Sequence, residues 1–411
     1  MVLDVQAAPA VGSNLRRGTS VPGCVRQTPG GVGRNIAEGL CRMSCPGVAL
    51  PLFISAVGDD LAGGALTKAW SMLGASVAGV RVCAGAATPV VAAVLDAGGE
   101  VAASVADTTT AEVGLDAGWV GRFTADVASA AIVILDGNCT PNVLAAAACA
   151  ADTTADITET RRPRVWFEPV SVVKSTRAGA AGILPLLEFI SPNAGELRAM
   201  ANEARSRRGV HQAADAAAGL EFMSAQGAVE AMHEDVAVML HEGVRYVVLT
   251  LGAMGVLLSS RAGASTGSSR GGDGNGGGEG GGGGADERDL RGGSGSDAPA
   301  AATAAATTMP FTVFYRHFPA LPARVSSLVG AGDSLVAGCC AALLAGSSVE
   351  VAVAMGVAAS RRAIETTANV PVGPSVGPRP RPPAPQLLDL RAHLWMTWHM
   401  SRGGSHDLLG W

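Results

Sequence analysis

The sequence predicts an α/β fold built on a mostly parallel sheet. Short β-like runs alternate with longer Ala-rich runs of helical spacing, the pattern of βαβ units. Several β-like runs end in polar residues: Asp136, Asn138, Glu168, Asn193 and Thr250. In parallel sheets, function gathers beyond the carboxyl ends of the strands. Two early segments, residues 4–28 and 89–107, read differently and predict a small accessory sheet.

Taken in order, residues 4–28 are short, polar and turn-rich. "TPGGVGRNIAEGLCRM" (28–43) then passes from a Gly turn into helical spacing, with Ile36, Leu40 and Met43 on one face. The spacing predicts a helix from about Asn35, with Asn35 at or near its start. A turn with an N-cap explains these residues. So does a loop whose bare amides at Gly30 and Gly31, with Asn35, grip a polyol. "PVVAAVLDAGGEVAASVAD" (89–107) predicts a hairpin turning at Ala97-Gly98-Gly99. "AIVILDGN" (131–138), "RVWFEP" (164–169) and "EFISPN" (188–193) read as buried strands, with helical spacing in 140–151 and 194–204. "VRYVVLTLGAMGVLL" (244–258) reads as two strands around a Gly turn.

From about 259 to 308 the chain is dominated by Gly, Ser and Ala. It has almost nothing to bury, so it is expected to be a disordered surface insertion within one domain. "GPSVGPRPRPPAPQ" (373–386) opens a Pro-rich tail expected to be extended.

"SSLVGAGDSLVAGCCAALLAG" (326–346) carries the sharpest signal. Ser326 to Val329 read as β-like, Gly330-Ala331-Gly332 as a turn, and Asp333 as the start of an apolar helix. Asp at a helix start is a common cap. A cap, however, needs no glycines before it. Side-chain-free residues leave room for phosphate oxygens, and the orphan amides of a first turn favour an anion. A carboxylate there could accept a proton from an attacking hydroxyl.

Bulk composition narrows the classes. The 411 residues are 48% hydrophobic and 16% charged, with a formal net charge of −5 and no basic block. Nucleic acid and anionic membrane surfaces are therefore not expected partners. Aromatics are only 4%, so the core is expected to consist of Ala, Val and Leu. The eight cysteines show no CxxC pairing, and Cys339 and Cys340 read as small core residues. A start without a secretory pattern and the lack of a long apolar run lead to the expectation of a cytoplasmic protein. The lysines are Lys68 and Lys174, and neither sits in a Walker A loop. The GxGxxG-like matches in the Gly-rich stretch follow no strand and carry no dinucleotide signal.

"GGVGRN" (30–35) and "VGAGDSLVAG" (329–338) resemble the two signatures of the pfkB, or ribokinase-like, carbohydrate kinases. "AVGDDLAG" (56–63), "SPNAGEL" (191–197) and "TLGAMG" (250–255) fall between them in the family's order. With "VLDGN", "WFEPVSVVKS" and "HFPALPA", the pattern is most similar to the pseudouridine kinases of that family. The resemblance covers roughly residues 1–372, leaving 373–411 as the tail.

It implies a three-layer α/β/α domain with a small β lid, whose elements fall at about 4–28 and 79–110, and pairing through the lid into homodimers. It implies ATP and Mg2+ as cofactors and phosphorylation of the 5′-hydroxyl of a ribosyl substrate, pseudouridine foremost. By the same resemblance, Asp333 matches the general base and Gly330, Ala331 and Gly332 the anion hole. Gly30, Gly31 and Asn35 match the substrate loop, Asp4 the acidic residue that binds sugar hydroxyls, and Asn138 a strand-end residue facing the sugar. Asn193 and Glu196 match the pair that organises Mg2+ through water. Thr250, Gly252 and Gly255, with Asn193, match the nucleotide side.

The sequence departs from the family at Val32, where Lys is frequent. It departs again at Ser327-Leu328-Val329, where an Asp-Thr-x associated with a monovalent cation such as K+ is frequent. Two other readings stand beside this one: another sugar or nucleoside kinase, and a non-catalytic binding protein on the same fold.

Overall fold

The computed structural model describes residues 1–16, 18–43, 49–98, 101–152, 162–210, 222–261, 311–366 and 368–371. The expected insertion from residue 262 onward and the Pro-rich tail lie outside the described residues.

The chain opens with β1 (Val2–Pro9), β2 (Gly23–Gly30), α1 (Val32–Met43), β3 (Ser55–Gly58), α2 (Leu61–Ser71) and β4 (Val80–Cys83). The hairpin β5 (Val90–Leu95) and β6 (Val101–Asp107) follows, then three short helices, α3 (Thr109–Val113), α4 (Ala117–Gly121) and α5 (Thr124–Ser129). Next come β7 (Ile132–Asp136), α6 (Pro141–Asp152), β8 (Arg164–Glu168), α7 (Val172–Ser175), α8 (Arg177–Ala180) and β9 (Phe189–Ile190). The remainder is α9 (Ala194–Arg207), α10 (Ala225–His241), β10 (Tyr246–Thr250), β11 (Val256–Arg261), β12 (Val313–Phe318), α11 (Ala331–Leu344) and α12 (Val349–Ile364).

The main sheet has the order β12-β11-β10-β9-β8-β7. Strands β7 to β10 are parallel, and β11 and β12 add antiparallel pairs at one edge. The period-2 pattern of each strand divides its side chains between two faces. Val165, Phe167, Val247 and Leu249 pack against α6, α9 and α10 on one face. Trp166, Phe189, Tyr246 and Val248 pack against α1, α11 and α12 on the other, together with Cys339 and Cys340. Trp166 stacks on Phe189 at 4.6 Å, and Phe189 on Tyr246 at 5.1 Å. Burial of each such side chain is worth about 1.5–3 kcal/mol. The core is not built from Ala, Val and Leu alone: Trp166, Phe167, Phe189 and Tyr246 fill the sheet centre, and Trp70 is buried against Phe53 in a separate cluster. The result is the three-layer α/β/α architecture that the sequence predicts.

The accessory sheet is real, with the order β2-β1-β5-β6. β1 pairs antiparallel with β2 and parallel with β5, and β5 and β6 form the expected hairpin.

Four boundaries differ from expectation. The segment at 79–83 is not part of the lid: β4 pairs with β3 in a separate two-stranded sheet. The insertion does not begin at 259, since Ser259 to Arg261 are paired residues of β11 whose partners run from Tyr315 to Val313. Ser326–Val329 form no strand: the Ser326 and Ser327 amides both donate to the Ile364 carbonyl, and Val329 already belongs to the turn at Gly330. Finally, α1 begins at Val32, directly after Gly31 at φ +99°, and not at Asn35.

Candidate active site

The two signature segments meet in space. Asn35 lies in the fourth position of α1, 5% exposed, and its Nδ2 donates to Asp333 Oδ2 at 2.6 Å. Asp333 is the third residue of α11, not its cap. The cap is Gly330, in the left-handed region at φ +78°, with no side-chain capping bond. A Cβ at Gly330 would stand 2.1 Å from the carbonyl oxygen of Asn369, whereas one at Gly332 would meet nothing within 4 Å. Gly330 is thus demanded by backbone geometry, and Gly332 borders open space beside the first-turn amides. Those amides have no intrahelical partners and, with the helix dipole, favour an anion.

Burial pushes the Asp333 carboxyl up to about 6, and Asp136 and Asp4 push it the same way, while the Asn35 hydrogen bond and Arg34 oppose them. A carboxylate poised there is ionised at neutral pH yet basic enough to take a proton.

Asp4 is held at the same place from the lid. It lies on β1 opposite Thr28 of β2, and Gly30 leaves room for it: a Cβ on Gly30 would sit 2.1 Å from Asp4 Oδ2. Asn369 Nδ2 donates to Asp4 Oδ2 at 3.0 Å and to the Pro29 carbonyl at 3.1 Å. Burial raises the Asp4 pKa, which the Asn369 bond offsets in part. Gly31, at φ +99°, turns the chain from β2 into α1.

Asn138 is less free than expected. Lys174 Nζ donates to its Oδ1 at 2.6 Å, and its backbone N–H donates to Asp136 Oδ1 at 2.6 Å. Asp136 Oδ2 in turn accepts from the Gly33 N–H at 2.9 Å, which ties the end of β7 to the turn of the Gly loop.

At the ends of β9 and β10, Asn193 and Glu196 form a reciprocal capping box at the start of α9. Glu196 N–H donates to Asn193 Oδ1 at 2.9 Å, and Asn193 N–H donates to Glu196 Oε2 at 2.8 Å. Asn193 also bridges Thr250 in parallel pairing, so the ends of β9 and β10 converge. Gly252 (φ +58°) and Gly255 (φ +95°) shape the turn between β10 and β11. A Cβ on Gly255 would collide with the Phe318 carbonyl at 2.1 Å, while Gly252 faces open space.

Glu168 links the two sides. Its pKa is raised well above the ordinary value by burial, with Asp333 and Glu196 adding to the rise; Ser191 opposes it through its hydroxyl, which donates to Glu168 Oε2. Asp333 and Glu196 thus each disfavour the charged form of Glu168. Among the described residues no three His, Cys, Asp or Glu side chains are grouped to hold a metal ion directly, so a divalent cation here would keep most of its waters, as Mg2+ does.

The sequence brought Asp136 and Glu168 into view as polar strand ends without assigning them a place in the site. Arg34 and Asn369 were missed. Arg34 stands inside "GGVGRN", and its burial (6% exposed) gives no local signal. Asn369 lies 365 residues from its partner Asp4. A cavity of about 660 Å³ lies at the opposite end of the sheet, near the starts of β8 and β10, lined by Arg164, Glu188 and Tyr246 among others. It is separate from the Asp333 site.

The sequence matches the family described as "pfkB family carbohydrate kinase" over residues 7–270 and 303–370. A curated relative, pseudouridine kinase of Arabidopsis thaliana, is 33% identical over 377 residues, covering 90% of each chain. Among solved structures, a ribokinase of Arabidopsis thaliana complexed with ribose and ATP superposes with a TM-score of 0.60 at 16% identity, covering 90% of this chain and 92% of that one. A ribokinase of Giardia lamblia superposes at 0.58 and 16% identity, with 90% and 92% covered. Such structures show the fold alone.

Fold and sequence together define a P-loop-free α/β kinase that phosphorylates a hydroxyl group. The chain belongs to the pfkB family of carbohydrate kinases, whose ribokinase-like members use ATP.

Proposed function

We propose that this chain transfers the γ-phosphoryl group of ATP to the 5′-hydroxyl of pseudouridine, with Asp333 as general base. The observation that carries the reading is the 2.6 Å bond between Asn35 and Asp333, which joins the substrate loop to the anion turn. The likeness to a pseudouridine kinase over 90% of both chains supports the choice of substrate.

Asp4, kept in place by Asn369, binds sugar hydroxyls, and Asn35 orients the carboxylate of Asp333. Asp333 accepts the proton of the 5′-hydroxyl as that oxygen attacks phosphorus in line and ADP departs. The amides of Gly330–Asp333 receive the charge on the equatorial oxygens. Thr250, Gly252 and Gly255 line the nucleotide side. Asn193 and Glu196 would hold Mg2+ through water, and when bound it supplies neutralisation of phosphate charge. Phosphoryl transfer needs little beyond this positioning and charge stabilisation.

The test is ATP consumption by the purified chain against pseudouridine, uridine, adenosine, ribose and fructose. Pseudouridine is expected to give the highest kcat/KM. A preference for adenosine or ribose would replace it with another sugar or nucleoside kinase. No turnover on any of them, with ATP still bound, would favour a binding protein on this fold.

A further inference from the structure

We propose that Arg34 is a positioning residue: it fixes which end of the Asn35 amide meets Asp333 and holds a buried positive charge among the site's carboxylates. This rests on the reading of Asp333 as the base.

An asparagine side chain can present either its oxygen or its NH2 group to a neighbour. A guanidinium only donates, so it selects the oxygen end. Arg34 Nη2 donates to Asn35 Oδ1. The Asn35 NH2 is thereby left to donate to Asp333 Oδ2 at 2.6 Å. Reversal of the amide would set two donors against each other at Arg34 and an oxygen against the carboxylate of Asp333. Arg34 therefore acts on the base through its neighbour in sequence.

The guanidinium is itself fixed from several sides. Nε donates to the Gly30 carbonyl at 3.1 Å and Nη2 to the Pro29 carbonyl at 2.7 Å. These are the last two residues of β2, so Arg34 also braces the substrate loop. Nη1 pairs with Glu38, which Arg42 holds in turn through Nε at 2.8 Å. Arg34 and Glu38 are 6% and 8% exposed, so the pair is desolvated and weakly screened. The sequence "RNIAEGLCR" spaces these charges at i, i+4 and i+8, one ladder along α1.

The charged groups around Asp333 come from four elements. Asp136 on β7, Asp4 on β1 and Glu168 on β8 are carboxylates; Arg34 on α1 is the cation that opposes them. Neutralising Arg34 thus makes the Asp333 carboxylate harder to ionise. Neutralising Glu38 exposes the Asp333 site to more of the Arg34 charge and works in the opposite direction.

The experiment follows the Asp333 carboxyl directly, by 13C NMR titration of the Asp-labelled full chain, with Asp333→Asn identifying the resonance. This readout needs no substrate, so it stands apart from the functional reading, which the substrate panel tests. Arg34→Met is expected to move the Asp333 titration upward by about one pH unit. Arg34→Lys, which keeps the charge and loses the fork, is expected to leave it near the wild-type position, and Glu38→Gln to move it downward. The acid limb of kcat/KM for pseudouridine is expected to follow the same order, with kcat of Arg34→Met reduced about 100-fold. An unmoved titration in folded Arg34→Met overturns the proposal. Where Arg34→Met does not fold, an unmoved titration in Glu38→Gln does so instead.

Discussion

Asp333 combines two roles that conflict. Its ordinary carboxylate value is 3.8, and the folded environment raises it to about 6. A group whose folded value is raised binds its proton more tightly in the native state. Protonation therefore stabilises the fold, and the gain accumulates as pH falls from above 6 to below 4, the unfolded value. At neutral pH the ionised carboxylate costs stability, at most on the order of 3 kcal/mol for this partly buried group. Asp333→Asn is expected to be more stable than the parent at pH 8, and the difference should vanish below pH about 4. Urea unfolding at several pH values measures it; a constant difference across that range would contradict the raised value. The same substitution is expected to lower kcat about 10²- to 10⁴-fold while ATP affinity is retained. In the parent, kcat/KM should fall as pH drops below about 6, because the proposed base must be ionised. Asp333 and Asn35 were legible because local glycines beside them pointed to anion and hydroxyl chemistry, whereas Asp4 came only from the family resemblance. Arg34 and Asn369 were not, since each acts only on side chains or carbonyls that folding brings to it.

At the scale of elements, the decisive piece is the turn into α11. Its helix begins at Ala331 because Gly330 takes φ +78° against the Asn369 carbonyl. Sequence spacing placed the helix start at Asp333, two residues late, because Gly-Ala-Gly reads as a turn. The backbone strain that makes Gly330 obligatory comes from a distant segment. Gly330→Ala is expected to cost at least about 1–2 kcal/mol from the left-handed backbone alone, and more from the clash with Asn369. Activity should fall with it, since the same turn carries the proposed anion site. Thermal melting and turnover together check this, and Gly332→Ala is the control for stability, as its Cβ meets nothing within 4 Å. The helices behind the turn were more legible. Leu335, Val336, Cys339 and Cys340 all enter the core facing Trp166 and Phe189, as an apolar helix should.

For the whole molecule, the flanks of the long stretch between β11 and β12 are fixed. Arg261 pairs with Val313, so the two ends of residues 262–312 are adjacent across an antiparallel ladder. The family match itself omits 271–302. Closing a loop costs only about 0.6 kcal/mol per doubling of its length. Replacing residues 263–310 with a short Gly-Asn-Gly turn, which keeps Phe311 under Arg261, is therefore expected to keep kcat/KM and raise stability slightly; loss of turnover in the shortened, folded chain would show that the stretch does more than connect. The sequence by itself determined the alternation of strands and helices on a mostly parallel sheet. Apolar runs and helical spacing are local, so β7–β10, α6, α9 and α11 follow from short windows, whereas α10 and α12 were not marked out and the three-layer order came from the family resemblance. Only the tertiary structure decided the site's wiring: the Asn35–Asp333 bond spans 298 residues and the Asn369–Asp4 bond 365. Such contacts leave no local pattern, because their geometry and energy arise only when the packed layers remove water and bring distant polar groups to one place.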